Sequence, residues 1–506
     1  EIQRKLATWS EENKARRFYR LLRIVSDPIW LEEAICRTLG ARGATTPGID
    51  GMTRVHVENN VVELARTIGE ELRTGTYEPQ PVRRVHIRKA NGKFRPLGIP
   101  TLKDRIVQRA MLMAMDPIWE SDFHTLSYGF RPCRSVHQAI RTVKVQLQDN
   151  NRGSAARWII EGDLTSYFDT IHHRLLIKAV RRRIRDRRFL NLLWKFLKAG
   201  HVDKRLFHAA HDGVPQGGVI SPLLGNIMLN EFDTYLENRY LSTEARYRRG
   251  HWNDSVRRKR PKAIKEGREL KPSVSYCRYA DDFLIAVKGT RAQAEEIREE
   301  CKEYLNDDLR LVLNMEKTRI THVNDGFVFL GHRIIRKRGK KGTMRVTDGI
   351  PREKVSGFTD RIRKHLDENH HMSGAEMIDS LNLKIDGWGR FYQYVDQKSW
   401  AFRKVDRTVF WKMARWLGAK YKSAIKPLMK KWVAHPEEGK AKTWVIYDRT
   451  GDCKPRRAAL SKLVGRGNRQ YRWKQQQGNP YRVEPAERTR APTSRYDDVA
   501  MAVSQR

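Results

Sequence analysis

Cysteine is scarce in this 506-residue chain: Cys36, Cys133, Cys277, Cys301 and Cys453 are odd in number and far apart. That scatter excludes a disulfide framework and supplies no paired knuckles for a zinc cluster, and it fits a reducing compartment. No apolar run approaches the roughly 20 residues that span a bilayer, and nothing resembles a signal peptide, so no membrane role is expected. The chain opens on Glu1 rather than on Met, which leaves a preceding leader open. Acidic residues are in deficit, 59 Asp and Glu against 100 Lys and Arg, for a formal charge of +41. Such a charge repels itself unless a polyanion offsets it, so nucleic acid is the expected partner. A small basic structural protein fits poorly, because 13 Trp and 39% hydrophobic residues indicate real cores. The length leaves room for roughly two to four domains.

Internal repeats and heptads are also missing. Residues 1 to 75 have apolar residues at three- and four-residue spacing and predict helices, followed by turn-rich sequence. "PVRRVHIRKANGKFRPLGIP" predicts a hairpin turning at Asn91-Gly92. Helices are expected from Thr101 to Gln148, broken at "SYGFRPCRS", then a short strand Trp158 to Ile160 ending near Asp163. More helices follow through the basic run "RRRIRDRR", and "DGVPQGGVISPLLGNIMLNEF" is a Gly-rich loop opening an apolar helix. Residues 242–272 carry eleven Lys or Arg against four acids and read as a solvated or RNA-facing insert. "RAQAEEIREECKEYL" predicts an amphipathic helix and "GFVFLGHRIIRK" a strand or hairpin. "KRGKKGT" near residue 340 reads as a basic linker before a helical stretch ending about Tyr421. The end of the chain is basic, with a poorly ordered tail.

"SYCRYADDFLIAVKG", Ser275 to Gly289, poses the chemical question. Alternation predicts two strands joined by a tight turn at Ala280 to Asp282, with the carboxylates of Asp281 and Asp282 at its edge. A surface turn rich in Asp is the plain reading. Asp163, at the end of another short strand, changes it, because a neighbouring strand could bring a third carboxylate to the pair. Three such groups need cations, and hard oxygen donors suit Mg²⁺. Two ions about 3.5–4 Å apart are the arrangement that polymerases use.

The order "GKFRPLGIP", "SYGFRP", "GDLTSYFD", "GVPQGGVISPLLGNI", "YADD", "LNMEKT" and "FLGH" resembles the reverse transcriptases encoded by group II introns, the maturase family, over about residues 15 to 430. The resemblance implies an α+β right-hand polymerase: fingers and palm over 1–340, a thumb or maturase domain over 341–430, and a small basic DNA-binding region over 431–506. It implies Asp163, Asp281 and Asp282 as ligands of two Mg²⁺ ions and Tyr279 near the primer end, unless it is only a strand aromatic. Phe168 would block a ribose 2′-hydroxyl, or else pack in the core. Gln216 would touch the incoming nucleotide, while Gly217 and Gly218 would let the backbone approach the templating pair, unless they only make a tight loop before a helix. Lys89 and Arg95 would hold the triphosphate. Lys317 would be a general acid for pyrophosphate departure or another phosphate contact.

Within "IDGWGRFYQYVDQKSWAFRKVDRTVFWKMARWLGAKY" the aromatics at helical spacing read as core. Arg390, Arg403, Lys404, Arg407, Lys412 and Arg415 are expected to face RNA. The function implied is RNA-dependent DNA synthesis together with intron splicing and retrohoming. Its partners would be group II intron RNA, target DNA and deoxynucleotides, in a bacterial cytoplasm and at the nucleoid. A non-enzymatic splicing factor, or a domesticated relative in defence or repair, are the alternatives. Cys453 stands alone with no His cluster after it, so the HNH nuclease that many relatives add is not expected in this chain.

Overall fold

A computed structural model describes residues 1–88, 92, 94–148, 158–203, 206–242, 245, 272–339, 342, 344–449, 455–467, 471 and 478–483. Lys89, nearly all of the basic insert, Cys453 and the tail from residue 484 lie outside the described residues.

The N-terminal region is helical, as its spacing predicts: α1 (Ile2–Glu12), α2 (Leu21–Val25), α3 (Pro28–Leu39) and α4 (Val61–Thr74). α3 starts where the Asp27 carboxylate accepts from the Trp30 amide, with Pro28 at the first helical position. Strands β1 (Val82–Arg88) and β2 (Phe94–Ile99) form the expected antiparallel hairpin. α5 (Leu102–Trp119) follows, buried almost all round, and it is the central helix of the first core. Two of its buried charged side chains, Asp104 and Arg105, are well bonded. The Asp104 carboxylate accepts from Thr101, Tyr77 and the Gln80 amide, and the Arg105 guanidinium donates to three loop carbonyls.

α6 (Val136–Leu147), β3 (Trp158–Gly162), α7 (Tyr167–Thr170), α8 (His173–Val180) and α9 (Arg187–Lys198) come next. A short hairpin that the sequence did not announce, β4 (His201–Asp203) and β5 (Leu206–His208), joins the first sheet through a parallel pairing of β4 with β1. α10 (Ser221–Leu236) leads to β6 (Ser273–Tyr279) and β7 (Asp282–Lys288). After them come α11 (Arg291–Asp307) and β8 (Arg319–His322). The second sheet has the order β6-β7-β3-β8 and is antiparallel throughout.

These elements up to Gln146 and from Trp158, with residues 478–483, belong to one compact unit; Leu147, Gln148 and the described residues from Val323 to Tyr471 belong to a second. The second opens with β9 (Phe327–Phe329), β10 (His332–Arg338) and β11 (Met344–Gly349). "KRGKKGT" is therefore no linker between units: Lys337 and Arg338 belong to β10, which pairs with β11 as far as Arg338 opposite Met344. Helices α12 (Arg352–Glu368), α13 (Gly374–Phe391), α14 (Ser399–Lys420) and α15 (Ile425–Trp432) follow, then a sheet of β12 (Val433–Ala434), β13 (Thr443–Arg449) and β14 (Pro455–Ala459). Trp388, Phe391, Tyr392, Phe402 and Trp416 are core, as their spacing predicts, whereas Trp400 and Trp411 are exposed. Arg390, Arg403, Lys404, Arg407 and Arg415 are exposed and Lys412 is half-buried.

Candidate active site

The expected turn is present and tight. Tyr279 pairs with Asp282, so Ala280 and Asp281 alone connect β6 to β7, and Ala280 takes a left-handed conformation with φ 56°. Gly162 at the end of β3 lies opposite Phe283. One more step of that antiparallel register sets Asp163 level with Asp282, at one end of the sheet. Asp163, Asp281 and Asp282 are all half-buried.

Beneath the turn lies a support that sequence reasoning missed. Arg278 is fully buried, its Nε 2.8 Å from Asp233 Oδ1 and its Nη2 2.5 Å from Asp233 Oδ2. Its Nη1 donates to the Ala280 carbonyl, within the turn itself, and to Asn226 Oδ1, both at 3.0 Å. Burial by itself would pull the guanidinium down. The Asp233 carboxylate more than offsets that, and the net shift is upward, so the charge is locked on. Burial and Asp233 also push the Tyr276 hydroxyl well up, and it donates to Asp233 at 2.7 Å. The available signal was a charged residue in a strand buried on both faces, which must be paired.

Gly129 of "SYGFRP" lies against the same turn. A Cβ there would stand 2.4 Å from the Ala280 nitrogen, so only glycine permits the approach. The Asn226 amide donates to the Gly129 carbonyl at 2.8 Å, linking "SYGF", "PLLGN" and "YADD" in one network.

A second chain of contacts joins the β2 strand to the loop before α10. Arg95 Nε donates to Gln216 Oε1 at 2.8 Å, and Gln216 Nε2 donates to Asp169 Oδ2 at 3.0 Å. Asp169 is another residue that sequence reasoning missed. Gly217 has φ 117°, and a Cβ there would stand 2.5 Å from the Gly98 carbonyl oxygen, which explains the glycine. Gly218 packs as closely on Ser221 and Gln108. Phe168 is half-buried, tilted on Tyr167 at 5.2 Å and packed against the core, with its backbone carbonyl accepting from Val214. Tyr279 is buried.

Lys317 does reach the carboxylates: its Nζ is 2.7 Å from Asp163 Oδ2, and it is two-thirds exposed. The Asn314 amide donates to the Asp163 carbonyl, tying "LNMEKT" to the end of β3. Among the described residues no three His, Cys, Asp or Glu side chains are gathered closely enough to hold a metal ion. The donors nevertheless suit a hard cation in kind: they are carboxylate oxygens at one sheet end, and one of them has already drawn in an ammonium group. Among the described residues no helix is long and apolar enough to cross a membrane.

Comparison with known proteins places the chain in a family. Residues 87–334 match the reverse transcriptase (RNA-dependent DNA polymerase) family, and residues 355–433 match the group II intron maturase-specific domain. Protein YkfC of Escherichia coli K12 is 62% identical over 358 residues, covering 71% of this chain and 94% of that protein. The group II intron-encoded protein LtrA of Lactococcus lactis is 33% identical over 389 residues, 70% of this chain. The chain spans only 62% of LtrA's own length. With the polymerase turn, its supporting network and the maturase-specific helices in one chain and in that order, the chain belongs to the reverse transcriptase and maturase family of group II introns, whose chemistry is RNA-directed DNA synthesis and whose fold is the right-hand polymerase.

Proposed function

We propose that this chain copies RNA into DNA at the β6–β7 turn and, through its maturase segment, holds a group II intron RNA in its spliceable fold. The observation that supports the polymerase reading is the pairing of Gly162 with Phe283, a register that brings the neighbouring Asp163 and Asp282 to one sheet end, beside a turn to which buried Arg278 donates. Asp163, Asp281 and Asp282 would hold two Mg²⁺ ions, which when bound activate a primer 3′-hydroxyl and neutralise the departing pyrophosphate.

The remaining work falls to the chain's own side chains. Lys89 and Arg95 bind the triphosphate, Arg95 through its fork and Lys89 as a point charge. Gln216, already held between Arg95 and Asp169, keeps the loop of Gly217 and Gly218 against the incoming nucleotide. The half-buried Phe168 ring excludes a ribose 2′-hydroxyl and selects deoxynucleotides. Lys317 Nζ, which stands beside Asp163, delivers a proton to the leaving phosphate. The exposed Arg and Lys of α13 and α14 bind intron RNA, and the basic sequence after α15 contacts target DNA, in a bacterial cytoplasm and at the nucleoid.

The test separates the two activities in the purified chain. Asp281→Asn should lower primer extension on an RNA template by at least about 10³-fold, several kcal/mol at about 1.4 kcal/mol per decade. Protein-assisted splicing should stay near normal. Undiminished DNA synthesis would overturn the site, and loss of both activities in a folded variant would overturn the division of labour.

A further inference from the structure

The basic run Arg181 to Arg188 is sorted by the fold into two kinds of residue. Arg183 points inward, its Nη1 2.7 Å from Asp122 Oδ1. Asp186 also points inward, capping α9 at the Arg188 and Phe189 amides and accepting from the Leu22 amide at 2.9 Å. Arg181, Arg182 and Arg185 are left to line a cavity of about 640 Å³. α8 supplies its second wall. Ile177 and Lys178 stand three and four residues past Arg174, with Arg181 just beyond the helix three residues past Lys178, so these share one face, while Leu176, Ala179 and Val180 of the same helix are buried in the core. Backbone bonds between Phe18 and residues 183 and 185 bring Arg17 to the rim, and the half-buried indole of Trp194 completes the lining.

Six cations thus surround one hollow, and none of them belongs to the site described above. Arg182 has Glu231 at 2.6 Å, and Lys178 also acts on that carboxylate; among the described residues the other four have no carboxylate partner. Arg185 Nε is buried with no hydrogen-bond partner. Like charges gathered this way destabilise the fold that gathers them, and they stabilise only an anion brought between them. Guanidinium forks suit phosphate, an indole face suits a nucleobase, and the volume lies in the range that takes a nucleotide-sized group.

We propose that this hollow binds an unpaired nucleotide of a folded RNA together with its flanking phosphates, as an RNA contact outside the polymerase site. The inference rests on the proposed function only in taking the partner to be RNA. The full chain would be titrated with a folded group II intron transcript over a range of salt, beside its Arg174→Glu/Arg181→Glu variant. Affinity near 0.1 M salt should fall at least about tenfold, and the slope of log affinity against log salt should become shallower by about 1 per reversed residue. Primer extension on a short RNA template should be unchanged. Trp194→Leu should weaken binding by about tenfold with the salt slope unchanged, because stacking releases no counterions. If charge reversal impairs folding, Arg174→Gln/Arg181→Gln should shift the slope in the same direction. Equal affinity and slope in the variants and the parent would overturn the inference. So would tripolyphosphate binding that the Glu variant loses while its RNA affinity stays intact, which would assign the hollow to a free polyphosphate. A parent chain that binds the transcript but extends no primer would break the polymerase reading alone.

Discussion

Arg278 and the arginines of the α8–α9 hollow are the same residue type in opposite circumstances. The first is sealed under the β6–β7 turn with every polar nitrogen bonded within the protein. The second group is open, and four of the six cations there lack a carboxylate partner among the described residues. A buried, fully paired arginine is part of the architecture, because its removal leaves an uncompensated carboxylate behind. An open, unpaired one contributes nothing to the fold and stays available for an outside anion. In a chain with a formal charge of +41, pairing and burial therefore sort positive residues better than sequence position does.

The largest expected effect breaks the paired side of that contrast. Arg278→Met strands Asp233 in the core and removes the donor to the Ala280 carbonyl, so the first unit should lose about 3–5 kcal/mol in urea denaturation. Arg278→Met with Asp233→Leu should recover most of that stability, since two apolar groups replace a matched pair. DNA synthesis should not recover, because nothing then fixes the turn. A double variant as unstable as the single one would show that the pair does more than neutralise itself.

That support is the part of the site the sequence concealed. The β1–β2 hairpin, β3 and the β6–β7 hairpin were legible because period-two alternation and turn residues are local signals. Asp163 was legible as a strand end. Asp233, Asn226 and Asp169 were not, since each sits in a helix or loop whose own pattern gives no reason for a polar residue, and each is explained only by a partner far along the chain. The parallel pairing of β4 with β1 escaped for the same reason. "KRGKKGT" misled because a hairpin turn and a linker share one composition. The maturase helices were legible in kind, their aromatic and basic residues falling on opposite sides as the helical period requires, although Trp400 and Trp411 broke the rule.

Arg183 stands between the two extremes and makes the comparison titratable. It is buried, and it has both Asp122 at 2.7 Å and an Nε without a partner. Burial pushes the Asp122 carboxyl up to about 6, outweighing the opposite pull of Arg183 and Lys14. A carboxyl whose folded pKa lies above its unfolded value of 3.8 adds stability that is fully present below that value and is lost as pH rises through about 6. Asp122→Asn cannot titrate. It should therefore gain on the parent chain between pH 4 and pH 7, by up to about 2–3 kcal/mol in urea midpoints converted to free energy. A stability difference that does not change with pH would mean that Arg183 fully compensates Asp122, which would place this pair with Arg278.

The smallest effect sharpens the same contrast at a single contact, where residues 478–483 meet the N-terminal helices. Asn479 is buried, and its Nδ2 donates to the Pro117 carbonyl at 2.6 Å and to Ser121 Oγ at 2.8 Å, while its Oδ1 accepts from the Tyr481 amide. Three residues later Arg482 pairs with Glu11 at 2.9 Å, but that arginine is about half exposed. Both contacts tie the same short segment to the same unit, one through buried neutral hydrogen bonds and the other through a half-exposed ion pair. Asn479→Ala leaves buried groups unsatisfied and should lower stability by about 1–3 kcal/mol. Arg482→Gln gives up an ion pair that water and salt already screen, and it should stay within about 0.5 kcal/mol. Urea denaturation at low and high salt reads both. If Arg482→Gln proves as costly as Asn479→Ala, and the cost persists at high salt, then burial is not what separates structural from spare cations here, and the open arginines of the α8–α9 hollow would have to be reconsidered as part of the fold.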